Sequence, residues 1–296
     1  MTKAGAIKPV KAATPARTAL RHLIASGAQG LARHLARMMT SDDIEFPHKA
    51  RVDLRRLRAT LTAFRPIIDR QIYHRHQHRL RDLARLIGPL RDADVLAHDL
   101  GLPELTAAAA DLRLITRARL TQTRADRFAL RLARAYVGKS WHRPGTGAKA
   151  ARTAPVQPLA VAALDDIWRR SLSHGTDLTL LPEDQRHDLR KRLKTLRYLT
   201  DQFGLIWPGR SRDTFLALLA DLQNDLGRLN DLVVARAHGL TPPDEPHTLA
   251  HAQTLWSRLL ACPIFWANPD PDHAENHRHR RDTGRDHGRP PRSGLS

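Results

Sequence analysis

Aromatic side chains make up only 5% of this chain, and strand-forming runs of Val, Ile or Tyr are nearly absent. That composition speaks against a sheet protein. The apolar content, 41% in all, comes mostly from Leu and Ala, which with Arg are strong helix formers. The chain therefore reads as all-α. A single cysteine, Cys262, leaves no partner for an internal disulfide and fits a reducing compartment. No stretch approaches the ~18 uncharged apolar residues of a membrane span. The N-terminus, MTKAGAIKPVKAA, has basic residues but no apolar run of signal-peptide length. A soluble cytoplasmic protein without membrane contact is expected, with a nucleoid or granule association open. No serine, cysteine or pair of carboxylates forms a recognisable catalytic set, so no enzyme activity and no catalytic residue are expected.

Acidic residues are also scarce: 30 Asp and Glu face 49 Lys and Arg, a formal net charge of +19. The excess lies in the patterned part of the chain. Residues 1–16 contribute +3 and residues 267–296 contribute +1, leaving +15 between 17 and 266. A folded core this basic implies an anionic partner: nucleic acid, an acidic surface or an inorganic polyanion.

Residues 1–14 are rich in Ala, Lys and Pro without helical period and read as a flexible basic arm. Apolar residues at helical spacing begin near Pro15, with Leu20, Leu23, Ile24, Leu31, Leu35 and Met38 on one face. Thr40, Ser41 and Asp42 are N-cap candidates for a second helix running to about Phe64. A third helix is predicted over about 67–87, stopping at Gly88-Pro89, and a short one follows to about Leu100. Pro103 opens a helix of about 30 residues to Tyr136, closing a first half over 15–137. The Gly-, Pro- and Ala-rich stretch 138–158 reads as a linker. Helical pattern returns over about 159–173, 182–204, 210–227, 228–239 and 246–261, a second half spanning 159–262. Residues 263–296, rich in His, Arg, Asp and Pro, read as a disordered tail. Trp168, Trp207 and Trp256 fall among apolar helical positions and are expected in the core.

The two halves are copies. HKARVDLRRLRATLTAF begins at His48 and HDLRKRLKTLRYLTDQF at His187, an offset of 139 residues. At that offset, without a gap, Arg51 matches Arg190, Arg55 Lys194, Arg58 Arg197, Phe64 Phe203, Gly88 Gly227 and Asp92 Asp231. Duplication of a helical unit follows, and with it two halves related by a pseudo-two-fold axis. On a helix with His48 at zero, Arg51, Arg55 and Arg58 fall at about 300°, 340° and 280°, while Leu54, Leu57 and Leu61 fall at about 240°, 180° and 220°. A basic stripe thus adjoins an apolar one. The second copy repeats it with His187, Arg190, Lys194 and Arg197. Like charges at i, i+4 repel by a few tenths of a kcal/mol per pair. A linear polyanion would offset that repulsion, each Arg forking two hydrogen bonds to phosphate oxygens. Solvated faces would account for one basic helix. They do not account for basic matches at solvent-facing positions of both copies.

These motifs resemble the CHAD family, the conserved histidine α-helical domain. The resemblance rests on H-x-x-R-V-x-x-R-R-L-R at His48, its weaker copy at His187, GPLRDADVL (88–96) and LGRLNDLVVA (226–235), and covers about 15–262. It implies two four-helix bundles related by pseudo-symmetry, and a basic surface and central cleft that bind inorganic polyphosphate, with some members targeted to polyphosphate granules. Carried over, the implied ligand contacts are His48, Arg51, Arg55 and Arg58 with His187, Arg190, Lys194 and Arg197. Arg56 and Lys191 flank the stripes, and Arg75, Arg79 and Arg81 of the third helix extend the path. Asp92 and Asp231 are expected to be structural, as caps or as ion-pair partners of a repeat Arg. The E-x-E-x-K signature of the triphosphate-tunnel domain carried by some members is missing, which favours a stand-alone binding module over a phosphohydrolase.

Other signals are weaker. ARAYVGKS (133–140) has the loose form of a phosphate-binding loop but follows an Arg-rich helix rather than a strand. His273, His277, His279 and His287 lack an acid or Cys at ligand spacing, so no metal site is expected there. Cations surround His48 and His187, which read as donors to phosphate. No cofactor is expected. The basic stripes hold no aromatic except Tyr198 at an edge, which argues against single-strand recognition by stacking. Non-specific binding of nucleic acid, as by a nucleoid protein, stays open as an alternative partner. A polyphosphate-processing enzyme is a second alternative.

Overall fold

The computed structural model describes residues 10–237 and 245–267. Ten α-helices run through them: α1 (Ala16–Thr40), α2 (Glu45–Ala63), α3 (Arg70–Leu100), α4 (Pro103–Gln122), α5 (Ala125–Ala135), α6 (Thr146–Thr153), α7 (Gln157–Leu172), α8 (Glu183–Phe203), α9 (Arg210–Ala237) and α10 (Glu245–Ala261). No strand occurs among the described residues, and none of the helices there is long and apolar enough to cross a membrane. The all-α expectation holds.

The duplication is visible in the element boundaries. The 3-10 turns Arg65–Ile67 and Gly204–Ile206 are displaced by the same 139 residues as the sequence repeat, and α4 and α10 end at equivalent positions, Gln122 and Ala261. Neighbour order repeats too: α1 packs on α2, α2 on α3 and α3 on α4, as α7 packs on α8, α8 on α9 and α9 on α10. The halves meet where α2 packs on α8 and α7. The rings of Phe64 and Phe203, which are repeat equivalents, lie 6.0 Å apart there. Equivalent positions of the two repeats thus touch each other at the seam. Apolar burial is continuous across this seam, since Leu54, Leu57 and Leu61 belong to the same buried cluster as Leu189, Leu193 and Leu196. The scarce aromatics concentrate in the second half, where Trp168 packs edge-on to Phe215 and Trp256 at 5.6 and 5.8 Å. Trp168, Trp207 and Trp256 are all buried, as expected.

Several boundaries differ from the sequence reading. Helix α3 runs on through Pro89, although an interior proline costs about 3 kcal/mol. The prolyl ring is exposed while Ile87, Gly88 and Leu90 are buried, so the lost backbone bond faces water. Likewise α9 is one helix rather than two. The long helix predicted from Pro103 breaks instead at Arg124, which takes a left-handed conformation (φ 51°). That reversal turns α5 back to pack on α1. For α2 the N-cap position is Ile44, which makes no side-chain cap, rather than Thr40, Ser41 or Asp42; just before it the Asp43 carboxylate accepts from the Glu45 amide at 2.9 Å.

The stretch 138–158 joins the halves but is no loose tether. Trp141 is buried, its carbonyl accepts from the Asp69 amide at 2.8 Å, and the Arg143 amide donates to Ile67 at 3.1 Å. Arg152 of α6 is buried and donates to the Arg143 carbonyl at 2.6 Å. The fold also extends past both predicted ends. Val10 is buried at the N-terminal side, and Phe265 and Trp266 are buried beyond 262. His273, His277, His279 and His287 lie outside the described residues.

Candidate functional site

Helices α2 and α8 carry the two basic stripes, and their apolar faces decide where those stripes go. Leu54, Leu57 and Leu61 on α2, and Leu189, Leu193 and Leu196 on α8, are fully buried. Burying each such side chain stabilises the fold by about 1.5–3 kcal/mol, which fixes the rotation of both helices. Because α2 and α8 also pack on each other, their adjacent basic stripes are brought to one seam.

The two stripes meet at Lys194. Its ammonium group is held down to a pKa of about 7, first by burial and then by the positive charges of Arg190, Arg55 and Arg51, with Asp231 opposing. Two of those cations come from α2 and one from α8. Arg55, the repeat equivalent of Lys194, is thus its neighbour across the seam. Burial also lowers the pKa of Arg190, with Asp231 raising it and Arg55 lowering it. Among the described residues neither Arg55 nor Lys194 forms an ion pair.

Arg51 and Arg190 are held differently. Arg51 Nη1 donates to Asp92 Oδ1 at 2.8 Å and to the Gly88 carbonyl at 3.1 Å. A Cβ on Gly88 would meet that nitrogen at 3.9 Å, and one on Gly227 would meet Arg190 Nη2 at 3.5 Å. In both halves, then, the repeat Arg of the second helix lies against the repeat Gly of the third, with the repeat Asp one turn on. The expectation that Asp92 pairs with a repeat Arg is met directly, and Asp231 acts on Arg190 as an attractive charge. Arg190 Nε is buried with no acceptor among the described residues.

The remaining sequence candidates divide. His48 is exposed, and burial of part of its ring with Arg91, Arg51 and Arg55 nearby lowers its pKa. His187 instead bonds Asn230 Oδ1 through Nδ1 at 2.6 Å. Arg58 donates to Gln77 Oε1 at 3.3 Å, and burial together with Arg81, Arg55 and Arg85 lowers its pKa. Arg81 therefore lies near Arg58 of the α2 stripe. Arg75 and Arg79 lie about 120° and 160° round α3 from Arg81, and they line a groove against α5. Arg56 pairs across the seam with Asp201 at 3.7 Å, and Lys191 pairs locally with Asp188 at 3.0 Å. Arg197 is half-buried on α8 without an ion pair among the described residues. Sequence reasoning missed Arg85 and Arg91. The signal was available, since Arg85 lies one turn beyond Arg81 and Arg91 directly precedes the repeat Asp92. Their repeat equivalents, with that of Arg81, are Asn224, Asn230 and Ala220, so the charge around the seam is heavier on the first half.

Comparison with known proteins settles the family. The sequence profile of the CHAD domain matches residues 17–239, most of the chain. The chain belongs to the CHAD family. Its fold is similar to the crystal structure of the CHAD domain from the plant Ricinus communis, with a TM-score of 0.65 at 20% identity, covering 93% of this chain and 95% of that one. PptA from Streptomyces chartreusis is a more distant likeness, with a TM-score of 0.48 at 18% identity over 84% of this chain and 96% of that one. A search of curated proteins finds no match. In this CHAD domain the profile ends before α10, yet α10 completes the second half by packing on α9.

Proposed function

We propose that this CHAD domain binds inorganic polyphosphate along the seam between α2 and α8, as a binding module rather than an enzyme, and that it acts as an adaptor or granule-associated protein. The observation that carries the reading is the crowding at Lys194. Cations from both repeats converge there; Arg55 and Lys194 form no ion pair among the described residues, and the attraction of Asp231 for Lys194 is smaller than the repulsion from each of Arg190, Arg55 and Arg51. The arrangement is electrostatically costly in the free protein and is relieved by a chain of negative charges. Arg55, Lys194, Arg58 and Arg197 form the centre of the path. Arg51 and Arg190 border it while braced by α3 and α9, and His48, Arg91, Arg81 and Arg85 extend it over the first half. The buried Arg190 Nε adds a donor in want of an acceptor.

Titration with long-chain polyphosphate and with duplex DNA at two salt concentrations tests this. Polyphosphate should bind with a log-log salt slope of about −0.7 per phosphate contacted, by analogy with single strands. DNA should compete poorly per phosphate. Equal affinity per phosphate would favour the nucleoid-type alternative, and phosphate release with a divalent metal would favour a processing enzyme.

A further inference from the structure

Helix α5 is packed on α1 and α4, while α3 is packed on α2 and α4, and a groove of about 580 Å³ is left between α3 and α5. Its make-up differs from that of the seam. Arg75 of α3 and Arg131 of α5 are exposed on its two walls, and neither forms an ion pair among the described residues. No carboxylate lines it. Between these cations the lining turns apolar, with Phe128 and the buried Leu132. Arg79 donates to the Thr123 carbonyl and holds its guanidinium carbon 5.7 Å from the Phe128 ring centre. His76 is bonded to the Tyr136 hydroxyl at 2.9 Å, and burial brings its pKa down to about 4, so it presents a neutral ring.

We propose that this groove is a second binding site, for a small organic phosphate with a flat ring, of which a nucleotide is the type. The phosphate end meets Arg75 and Arg131, whose forked donors suit phosphate oxygens from two sides. The ring lies against Phe128 and Arg79, where stacking on an aromatic or guanidinium plane is favourable. The volume falls within the usual range of small-molecule sites, about 300–1,000 Å³. A bare phosphate chain has no use for the apolar lining, which separates this site from the polyphosphate seam. The described residues of the second half offer no copy of the groove. The equivalents of Arg75 and Arg79 are Thr214 and Leu218, and α5 has no counterpart there among the described residues. The inference does not rest on the polyphosphate reading, because Arg131 and Phe128 take no part in the seam.

Calorimetric titration of the full chain with ADP, and separately with inorganic tripolyphosphate, tests the proposal. ADP should bind. Arg131→Ala should weaken ADP about tenfold or more, as loss of a charge-assisted contact does, while leaving the affinity for long-chain polyphosphate unchanged. Phe128→Leu should weaken ADP but not tripolyphosphate. Absence of ADP binding at millimolar concentration, or unchanged ADP affinity in Arg131→Ala, would overturn it. So would equal losses for ADP and tripolyphosphate in Phe128→Leu. Failure of polyphosphate to bind at the seam would leave these outcomes as they are.

Discussion

Arg55 and Lys194 occupy the same place in the two repeats, and in the folded chain the charge of Arg55 presses directly on Lys194. Equivalent cations that repel each other across a seam are hard to explain as solvated surface. Three measurable predictions concern this seam, and one a buried ion pair outside it.

The first concerns pH. Lys194 is lowered from its ordinary 10.5 to about 7. Between those values the unfolded chain binds more protons than the folded one, so the free protein should gain stability as pH rises from 7 towards 10. A bound polyanion reverses the balance by returning the proton to Lys194. Polyphosphate affinity should therefore fall above pH 7, by up to about tenfold per pH unit for one proton. Binding at pH 8 should take up a proton, seen as a dependence of the calorimetric heat on buffer ionisation enthalpy. Lys194→Arg should keep the affinity and lose that pH dependence, because a guanidinium stays charged.

The second separates bracing from binding. Arg51 is committed to Asp92 and the Gly88 carbonyl, whereas Arg55 has no such partners among the described residues. Arg51→Ala should cost about 1–3 kcal/mol of stability through its lost charged hydrogen bonds. Arg55→Ala should leave stability within about 0.5 kcal/mol and weaken polyphosphate binding. Urea denaturation read beside binding isotherms distinguishes the two. If both variants behaved alike, the division of roles would be wrong.

A third prediction lies outside the seam. Arg113 Nη2 meets Asp94 Oδ1 at 2.6 Å, and the Asp94 side chain is only 1% exposed. Arg113→Ala strands a buried carboxylate and should destabilise the protein by about 3–5 kcal/mol. A change in urea midpoint equivalent to less than about 1 kcal/mol would show that Asp94 is not dependent on that partner.

The seam's apolar floor gives the fourth. Phe64 and Phe203 are both fully buried and touch only because the halves meet. Phe203→Ala should cost about 3–5 kcal/mol. Phe203→Leu, which keeps most of the volume, should cost less and retain polyphosphate binding. Loss of binding with the fold intact in Phe203→Leu would place the ring in the site itself.

Much of this was legible in the sequence because two periodicities coincide. The 3.6-residue spacing of Leu54, Leu57 and Leu61 gave the buried face of α2, and the gapless offset to Leu193 and Leu196 gave the same face of α8. What escaped has identifiable causes. Arg124 breaks a helix without glycine or proline, and Pro89 fails to break one because its ring points to water. Trp141 and α6 lie in a Gly- and Pro-rich stretch whose long-range hydrogen bonds, such as that of Trp141 to Asp69, leave no periodic trace. Arg51 and Arg55 look alike in sequence, and only packing shows that one braces α3 while the other faces its counterpart. Arg79 and Arg81 share a helix, but two positions turn them about 160° apart.

The most direct test is titration of Arg55→Glu/Lys194→Glu with long-chain polyphosphate, beside wild type and with helicity followed by circular dichroism. Both substitutions fall where no ion pair among the described residues is broken, so the helices should survive. The account predicts a folded double variant that no longer binds polyphosphate at moderate salt. A folded variant that binds as tightly as wild type would contradict it.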